Sequence, residues 1–226
     1  MAKTYAIAID GPAGAGKSTI AKALAKELGY YYVDTGAIYR TVAYFLDLLG
    51  VSPKDADGVE RYIDELNVVI EYDEEGKQHM LMNGMDVTDE IRTPDISQKA
   101  SLVSAQPVVR EALLDMQRDV AKNHNVIMDG RDIGTVVLPK ADVKIFLTAS
   151  PEVRAQRRCA ELLEKGQNVN YEQVLKDIIQ RDYQDTHREI APLKMSRDSV
   201  KVDASELDIE GVVATIKAVI QEKIPV

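Results

Sequence analysis

The chain has 226 residues, enough for one domain or one domain with an insert, and it carries 28 Lys and Arg against 37 Asp and Glu, a net charge of −9. Such an acidic balance argues against nonspecific binding to nucleic acid or to an anionic membrane surface, so a polyanionic ligand has to be met by locally gathered cations. With one cysteine, Cys159, an intramolecular disulfide is excluded; with no long apolar run and no basic-then-apolar leader, a cytoplasmic location is expected, without a membrane or secretory role.

The first element is a short apolar strand, Ala6–Ile9. It runs into Gly11-Pro12-Ala13-Gly14-Ala15-Gly16-Lys17-Ser18, and a helical stretch, Thr19–Leu28, follows with Ile20, Leu24 and Leu28 recurring every fourth residue. Strand, Gly-rich loop and helix are the context of a phosphate-binding P-loop. The backbone N–H groups of such a loop converge on one anion, and the positive end of the helix adds to them. Lys17 is then placed to bridge the outer phosphates of a nucleoside triphosphate. The Ser18 hydroxyl is placed to hold magnesium.

A second strand, Tyr30–Val33, ends at the turn Asp34-Thr35-Gly36. Next, Leu66–Tyr72 and Gln78–Met82 alternate like strands around Asp73-Glu74-Glu75-Gly76, and Asn83-Gly84 offers a further turn, so a small antiparallel insert is predicted. Thr93-Pro94-Asp95 starts the returning helix. Val126–Met128, Val143–Leu147 and Val200–Val202 read as further buried strands. Ser150-Pro151-Glu152 opens a helix that Gly166 stops. A closing helix shows the stripe Ile209, Val212, Val213, Ile216, Val219, Ile220, with Ser205 as its expected cap. Strands alternating with helices predict an α/β fold on a parallel sheet, with ligands at the carboxyl ends of its strands.

Asp129 directly follows the strand ending at Met128, a position suited to orienting magnesium or its waters. A turn role before Gly130 is the structural alternative. Several arginines sit at strand ends or in irregular segments: Arg40 after the Asp34 turn, Arg131 after Asp129-Gly130, and Arg154, Arg157 and Arg158 on one helix, spaced to face one way. Arg181 and Arg188 are placed on the next helix two turns apart, with Asp185 between them. The guanidinium fork gives phosphate two parallel hydrogen bonds and keeps its charge at any physiological pH. His79, His124 and His187 lack metal-ligand spacing and are read as structural or surface residues.

The blocks Ile9–Ser18, Asp34-Thr35-Gly36-Ala37-Ile38-Tyr39-Arg40, Asp129-Gly130-Arg131-Asp132-Ile133-Gly134-Thr135 and Arg181-Asp182 through Arg188, with Ile91-Arg92-Thr93 and Val109-Arg110-Glu111, resemble the cytidylate kinases. The resemblance spans nearly the whole chain. It implies the three-layer fold of P-loop nucleoside monophosphate kinases: a five-stranded parallel core (about 1–62, 100–149 and 169–226), a monophosphate-binding insert (about 63–99) and a lid (about 150–168). Phosphoryl transfer from ATP, with Mg2+, to CMP or dCMP is the activity it implies. Lys17, Asp129, Arg131 and Arg181 are then catalytic, and Ser18 and Asp129, the latter through water, hold the metal. ATP is held by Gly11, Pro12, Ala13, Gly14, Ala15, Gly16, Lys17, Ser18 and Thr19, with Arg157 or Arg158 closing from the lid. On the acceptor side, Asp34 and Thr35 border the site. Arg40, Arg131 and Arg181 take the CMP phosphate, Ser101, Arg110, Asp132 and Arg188 surround the base, and Asp185 meets the ribose. The expected partners are ATP and CMP or dCMP alone, with no nucleic acid and no membrane, and the expected state is a monomer.

Other readings stay open on the residues alone: a P-loop kinase with another small acceptor, a GTPase switch, or a noncatalytic nucleotide sensor. No Asn here is followed by Lys, so the guanine-reading Asn-Lys-x-Asp motif is missing.

Overall fold

The computed structural model describes residues 3–225. Its strands β1 (Ala6–Asp10), β2 (Tyr31–Asp34), β6 (Val126–Gly130), β7 (Val143–Thr148) and β8 (Val200–Asp203) form a five-stranded parallel sheet in the order β2-β6-β1-β7-β8. Each forms where a short apolar run was read. β1, β6 and β7 are buried along nearly their whole length, which explains why they are apolar without alternation. In register, Ile9 lies opposite Ile145, and Ile145 in turn opposite Val200. The chain divides into two compact units, one of residues 31–126 and one of residues 5–30 with residues 127 onward.

In the second unit, α1 (Lys17–Leu28) follows β1, and α8 (Ile209–Lys223) packs on it, with an ion pair between Lys217 and Glu27. Val212, Ile216 and Ile220 form the buried stripe of α8. Its cap is Asp208, whose carboxylate accepts from the N–H of Gly211, and not Ser205 as expected. Ser205 instead accepts from the N–H of Ser150, which ties the end of β8 to the start of α6 (Pro151–Glu164). That helix starts as read, with the Ser150 hydroxyl on the N–H of Val153 and Pro151 in its first turn. It packs against α7 (Tyr171–His187). α7 ends one residue before Arg188, so Arg188 lies just past the helix on which it was expected. After β6, residues Ile133–Val137 make one wide π-helical turn.

In the first unit, α2 (Thr35–Leu48) starts directly from β2, with the Asp34 carboxylate accepting from the N–H of Ala37. α3 (Ala56–Ile63), α4 (Pro94–Val103) and α5 (Pro107–Asn123) complete its helices. Thr93 caps α4 and Pro94 fills its first turn, as the sequence indicated. The antiparallel segment is a three-stranded sheet of β3 (Val68–Tyr72), β4 (Gln78–Met82) and β5 (Met85–Asp86). Asn83 and Gly84 both take positive φ, 50° and 82°, the requirement of the tight turn that joins β4 to β5. His79 links Asp73 at 3.3 Å to Asp86 at 2.8 Å across this sheet, a structural role. Cys159 is half-buried, and among the described residues no helix is long and apolar enough to cross a membrane.

One glycine is fixed by close approach. A Cβ on Gly11, at φ 154°, would lie 1.9 Å from the carbonyl oxygen of Leu147 in β7. The backbones of the P-loop and the neighbouring strand thus touch with no room for a methyl group. We expect Gly11→Ala to cost about 3 kcal/mol or more in urea unfolding, because neither backbone can yield cheaply.

Candidate active site

The P-loop connects β1 to α1. Its last glycine, Gly16, is the N-cap of α1 and supplies no side-chain oxygen, so the first N–H groups of the helix have no side-chain cap. That leaves them pointing at whatever the loop holds, with the positive end of the helix behind them. Lys17 is the first residue of α1 and is only 5% exposed. Its amine donates to the carbonyl of Pro12 at 2.7 Å, closing the loop on itself. Burial, helped by the nearby Arg131 charge, pulls the Lys17 amine down from 10.5 to about 7, against the opposing pull of Asp129, Asp185 and Asp10. One lysine therefore senses the ends of β1 and β6, an arginine after β6, and a carboxylate on α7.

Ser18 and Asp129 are brought together as a pair. The Ser18 hydroxyl donates to the Asp129 carboxylate at 3.0 Å, and Asp129 is buried at the end of β6 while Ser18 is exposed. Two hard oxygen donors at the mouth of a phosphate loop suit magnesium. Among the described residues no cluster of three or more His, Cys, Asp or Glu could cage a metal by itself. A metal here would therefore draw its other ligands from phosphate and water.

Asp10 was not singled out from the sequence. It is buried at the end of β1, and its two carboxylate oxygens accept from the N–H groups of Ile133 and Gly134, each at 2.7 Å. Burial raises its pKa to about 6 despite these bonds. Physically it caps the π-helical turn and so fixes where Arg131 and Asp132 leave β6.

Arg131 donates through Nε to Asp185 at 2.8 Å. Burial would raise the pKa of Asp185, but Arg131, with Arg181 and Arg188 nearby, holds it below the ordinary carboxylate value. Arg188 donates to Asp132 at 3.2 Å and to the carbonyl of Ala191 at 2.6 Å. Thus Lys17, Ser18, Asp129, Arg131, Asp132, Arg181, Asp185 and Arg188, all named from the sequence, meet in one electrostatic network within the second unit.

The three arginines of α6 do not act as one patch. Arg154 is 2% exposed and pairs with Asp182, while Arg157 donates to the carbonyl of Ala204 at 2.6 Å and Arg158 pairs with Glu161 at the surface. Helical spacing placed them on neighbouring turns, yet only tertiary packing separates a buried guanidinium from an exposed one. The sequence groups Arg154 with Arg157 and Arg158 and gives Asp182 no role of its own, and no spacing signal distinguishes Arg154 from its neighbours.

In the first unit, Arg40 pairs with Asp34 at 2.9 Å, and its buried Nε has no hydrogen-bond partner among the described residues. A Cβ on Gly36 would come within 3.1 Å of the Arg40 guanidinium, so the glycine leaves space for it. A buried guanidinium N–H left without an acceptor is costly unless a ligand supplies one. Asp34 is held from behind by Gln78, whose side-chain oxygen accepts the Asp34 N–H at 2.7 Å. Arg110 is buried, donates to the carbonyl of Ser104 at 2.9 Å and lies 5.5 Å from the centre of the Tyr39 ring. Ser101, half-buried on α4, accepts the Ser104 hydroxyl on its carbonyl.

Comparison with known proteins bears on the chain as a whole. The family model described as cytidylate kinase matches residues 7–222. A cytidylate kinase of Carboxydothermus hydrogenoformans is 50% identical over 217 residues, which cover 96% of this chain and 97% of that protein. Another, of an Exiguobacterium species, is 48% identical over 222 residues, covering 98% and 99%. Among solved structures, an uncharacterized protein from Eubacterium ventriosum superposes with a TM-score of 0.54 at 13% identity, covering 96% of this chain and 99% of that one, a likeness of fold alone. A family model matched over residues 7–222 and relatives 48–50% identical along nearly their full length establish that this chain belongs to the cytidylate kinase family.

Proposed function

We propose that the protein transfers the γ-phosphoryl group of ATP to a phosphate oxygen of CMP or dCMP, giving ADP and CDP or dCDP. The observation that carries this reading is the cluster around the buried Lys17, where Ser18 bonds Asp129 at 3.0 Å and Arg131 bonds Asp185 at 2.8 Å. A nucleotide-binding loop alone says nothing about an acceptor. Arginines beside it give a second phosphate somewhere to sit.

In this reading the N–H groups of Gly14, Ala15 and Gly16 hold the donor phosphates and Lys17 bridges the outer ones. Magnesium, held by Ser18 and through water by Asp129, would neutralise charge on the bound triphosphate. The acceptor oxygen is already anionic, so no strong base is required, and transfer is in line without a covalent enzyme intermediate. Arg40, Arg131 and Arg181 hold the CMP phosphate. Asp132 accepts from the cytosine amino group, and Arg110 or Arg188 donates to the ring nitrogen and carbonyl. Ser101 borders the base and Asp185 meets the ribose. The insert at about 63–99 closes on the monophosphate and the segment at about 150–168 shields the donor from water. The enzyme works as a cytoplasmic monomer.

An acceptor screen with purified protein, ATP and magnesium, reading ADP release, tests the assignment. Uracil reverses the donor and acceptor pattern that Asp132 and the arginines match, and a buried mismatch leaves polar groups unpaired. We expect kcat/KM for CMP to exceed that for UMP by about 100-fold. Equal turnover of the two would refute the base-reading assignment, and turnover confined to AMP or shikimate would refute the acceptor.

The pKa of Lys17 adds a test of its own. In the free protein its amine titrates near 7, well below 10.5. Phosphate oxygens beside it favour the charged form and so raise that pKa on binding. At pH 8, where ATP itself is fully ionised, binding should therefore take up a fraction of a proton. Calorimetry in two buffers of different ionisation enthalpy measures this uptake, and Lys17→Arg should abolish it.

A further inference from the structure

We propose that Arg154 is a positioning residue of the P-loop, and that Asp182 locks it in that task. The side chain of Arg154 is 3% exposed and its guanidinium is spent on protein groups. Nη1 donates to the carbonyl of Ala13 at 3.1 Å, and Nε to the carbonyl of Ala149 at 2.9 Å. The fork is filled by Asp182, at 3.0 Å from Nη1 and 2.5 Å from Nη2. The Arg154 stem also lies against the loop, since a Cβ on Gly14 would be 3.5 Å from the Arg154 Cβ.

The contact with Ala13 has a directional consequence. Across a planar trans peptide the C=O and the following N–H point in opposite directions. Holding the Ala13 carbonyl toward Arg154 therefore turns the Gly14 N–H the other way. Gly14 sits at φ 75°, a conformation glycine leaves as readily as it enters, and its neighbours in the loop are small. Without the clamp, a flip of this one peptide would exchange a donor for an acceptor, and a carbonyl oxygen facing a phosphate is repulsive. Arg154 thus selects, before any ligand arrives, the orientation in which the loop presents N–H groups to an anion.

The bidentate ion pair explains why this buried cation is not itself a phosphate ligand. Its fork is occupied and its charge is neutralised by Asp182. Asp182 lies on α7 between Arg181 and Asp185, so the same helix that carries acceptor-side groups braces the donor loop through α6.

The inference rests on the kinase reading only in taking ATP as the anion, and direct binding separates the two. Dissociation constants for MgATP and for CMP are measured by calorimetry on the full chain for wild type, Arg154→Met, Arg154→Lys, Asp182→Asn and the Arg154→Met/Asp182→Asn double variant. Arg154→Met should weaken ATP about tenfold, the consequence of ordering a peptide plane on binding instead of beforehand, while CMP binding stays within about threefold. Arg154→Lys, keeping a donor, should recover part of the loss. Asp182→Asn should weaken ATP in the same direction by about threefold, and the double variant should be no worse than Arg154→Met, because the two act as one unit. Tighter ATP binding in Asp182→Asn would overturn the proposal, since a released guanidinium would then be serving as a phosphate ligand. Unchanged ATP affinity in folded Arg154→Met would overturn it as well. Should Arg154→Met not fold, the sign of the Asp182→Asn change decides. A wild type that binds ATP but makes no CDP refutes the acceptor assignment and leaves the clamp standing.

Discussion

Lys17→Ala should remove phosphoryl transfer while leaving a folded protein, with kcat in the ADP-release assay falling by about 10³-fold or more, the scale of losing a preorganised charge at the reacting group. The amine is buried at the mouth of the P-loop and donates to the Pro12 carbonyl at 2.7 Å. Replacing it forfeits that bond but also removes the work of burying a cation, so little stability should be lost. The sign follows from linkage. A lysine whose folded pKa, near 7, lies below its ordinary 10.5 is unfavourable to folding in its charged form, so its contribution disfavours the folded state below pH 7 and this penalty fades as pH rises toward 10.5. Lys17→Ala should therefore match or exceed wild type in urea unfolding at pH 6. A variant that unfolds readily, or one that keeps wild-type turnover, would remove Lys17 from the mechanism.

Arg131→Ala should fail in two ways at once. Its Nε holds the buried Asp185 at 2.8 Å, and its charge reaches Lys17. Without it, kcat should fall by about 10²-fold to 10³-fold through the lost cation at the transferring phosphoryl group, and the KM for CMP should rise. Stability should fall by about 2–3 kcal/mol, since the change leaves a buried carboxylate short of its main partner, with Arg181 and Arg188 compensating in part. Asp185 has a depressed folded pKa, so its contribution is present above the ordinary 3.8 and is lost as pH falls below it. The stability gap between variant and wild type should thus be widest at neutral pH and narrow in acid. Arg131→Ala with Asp185→Asn should regain stability without regaining activity. If activity returned with stability, Arg131 would be a structural residue only.

The elements that declared themselves were those whose signal is local. β1, α1 and the P-loop between them follow from a few adjacent residues whose spacing and glycines permit little else. The hairpin turn at 73–76 and the caps at Thr93 and Ser150 were legible because capping depends on residues within three positions. Ser205 misled for the same reason: it is a good cap by type, but its hydroxyl is taken by Asp203 and by the N–H of Ser150, a partner 55 residues away. Arg154, Arg157 and Arg158 share a helix and a residue preference. Nothing within that helix tells that one is buried against Asp182, one ends on the carbonyl of Ala204 and one stays at the surface.

What the amino acids determined by themselves was the chemistry on offer: a loop of N–H groups, a lysine and a hydroxyl at its exit, a carboxylate at a strand end, and arginines in an acidic chain. Only the tertiary structure decided how those charges are shared, because ion pairs and burial depend on distance in space and not in sequence. It set Asp185 on Arg131, turned Asp10 into the cap of a distant turn, and brought Arg154 to the back of the P-loop. A low-dielectric interior then amplifies each such neighbour, which is why Lys17, ordinary in composition, titrates near neutrality only once it is folded.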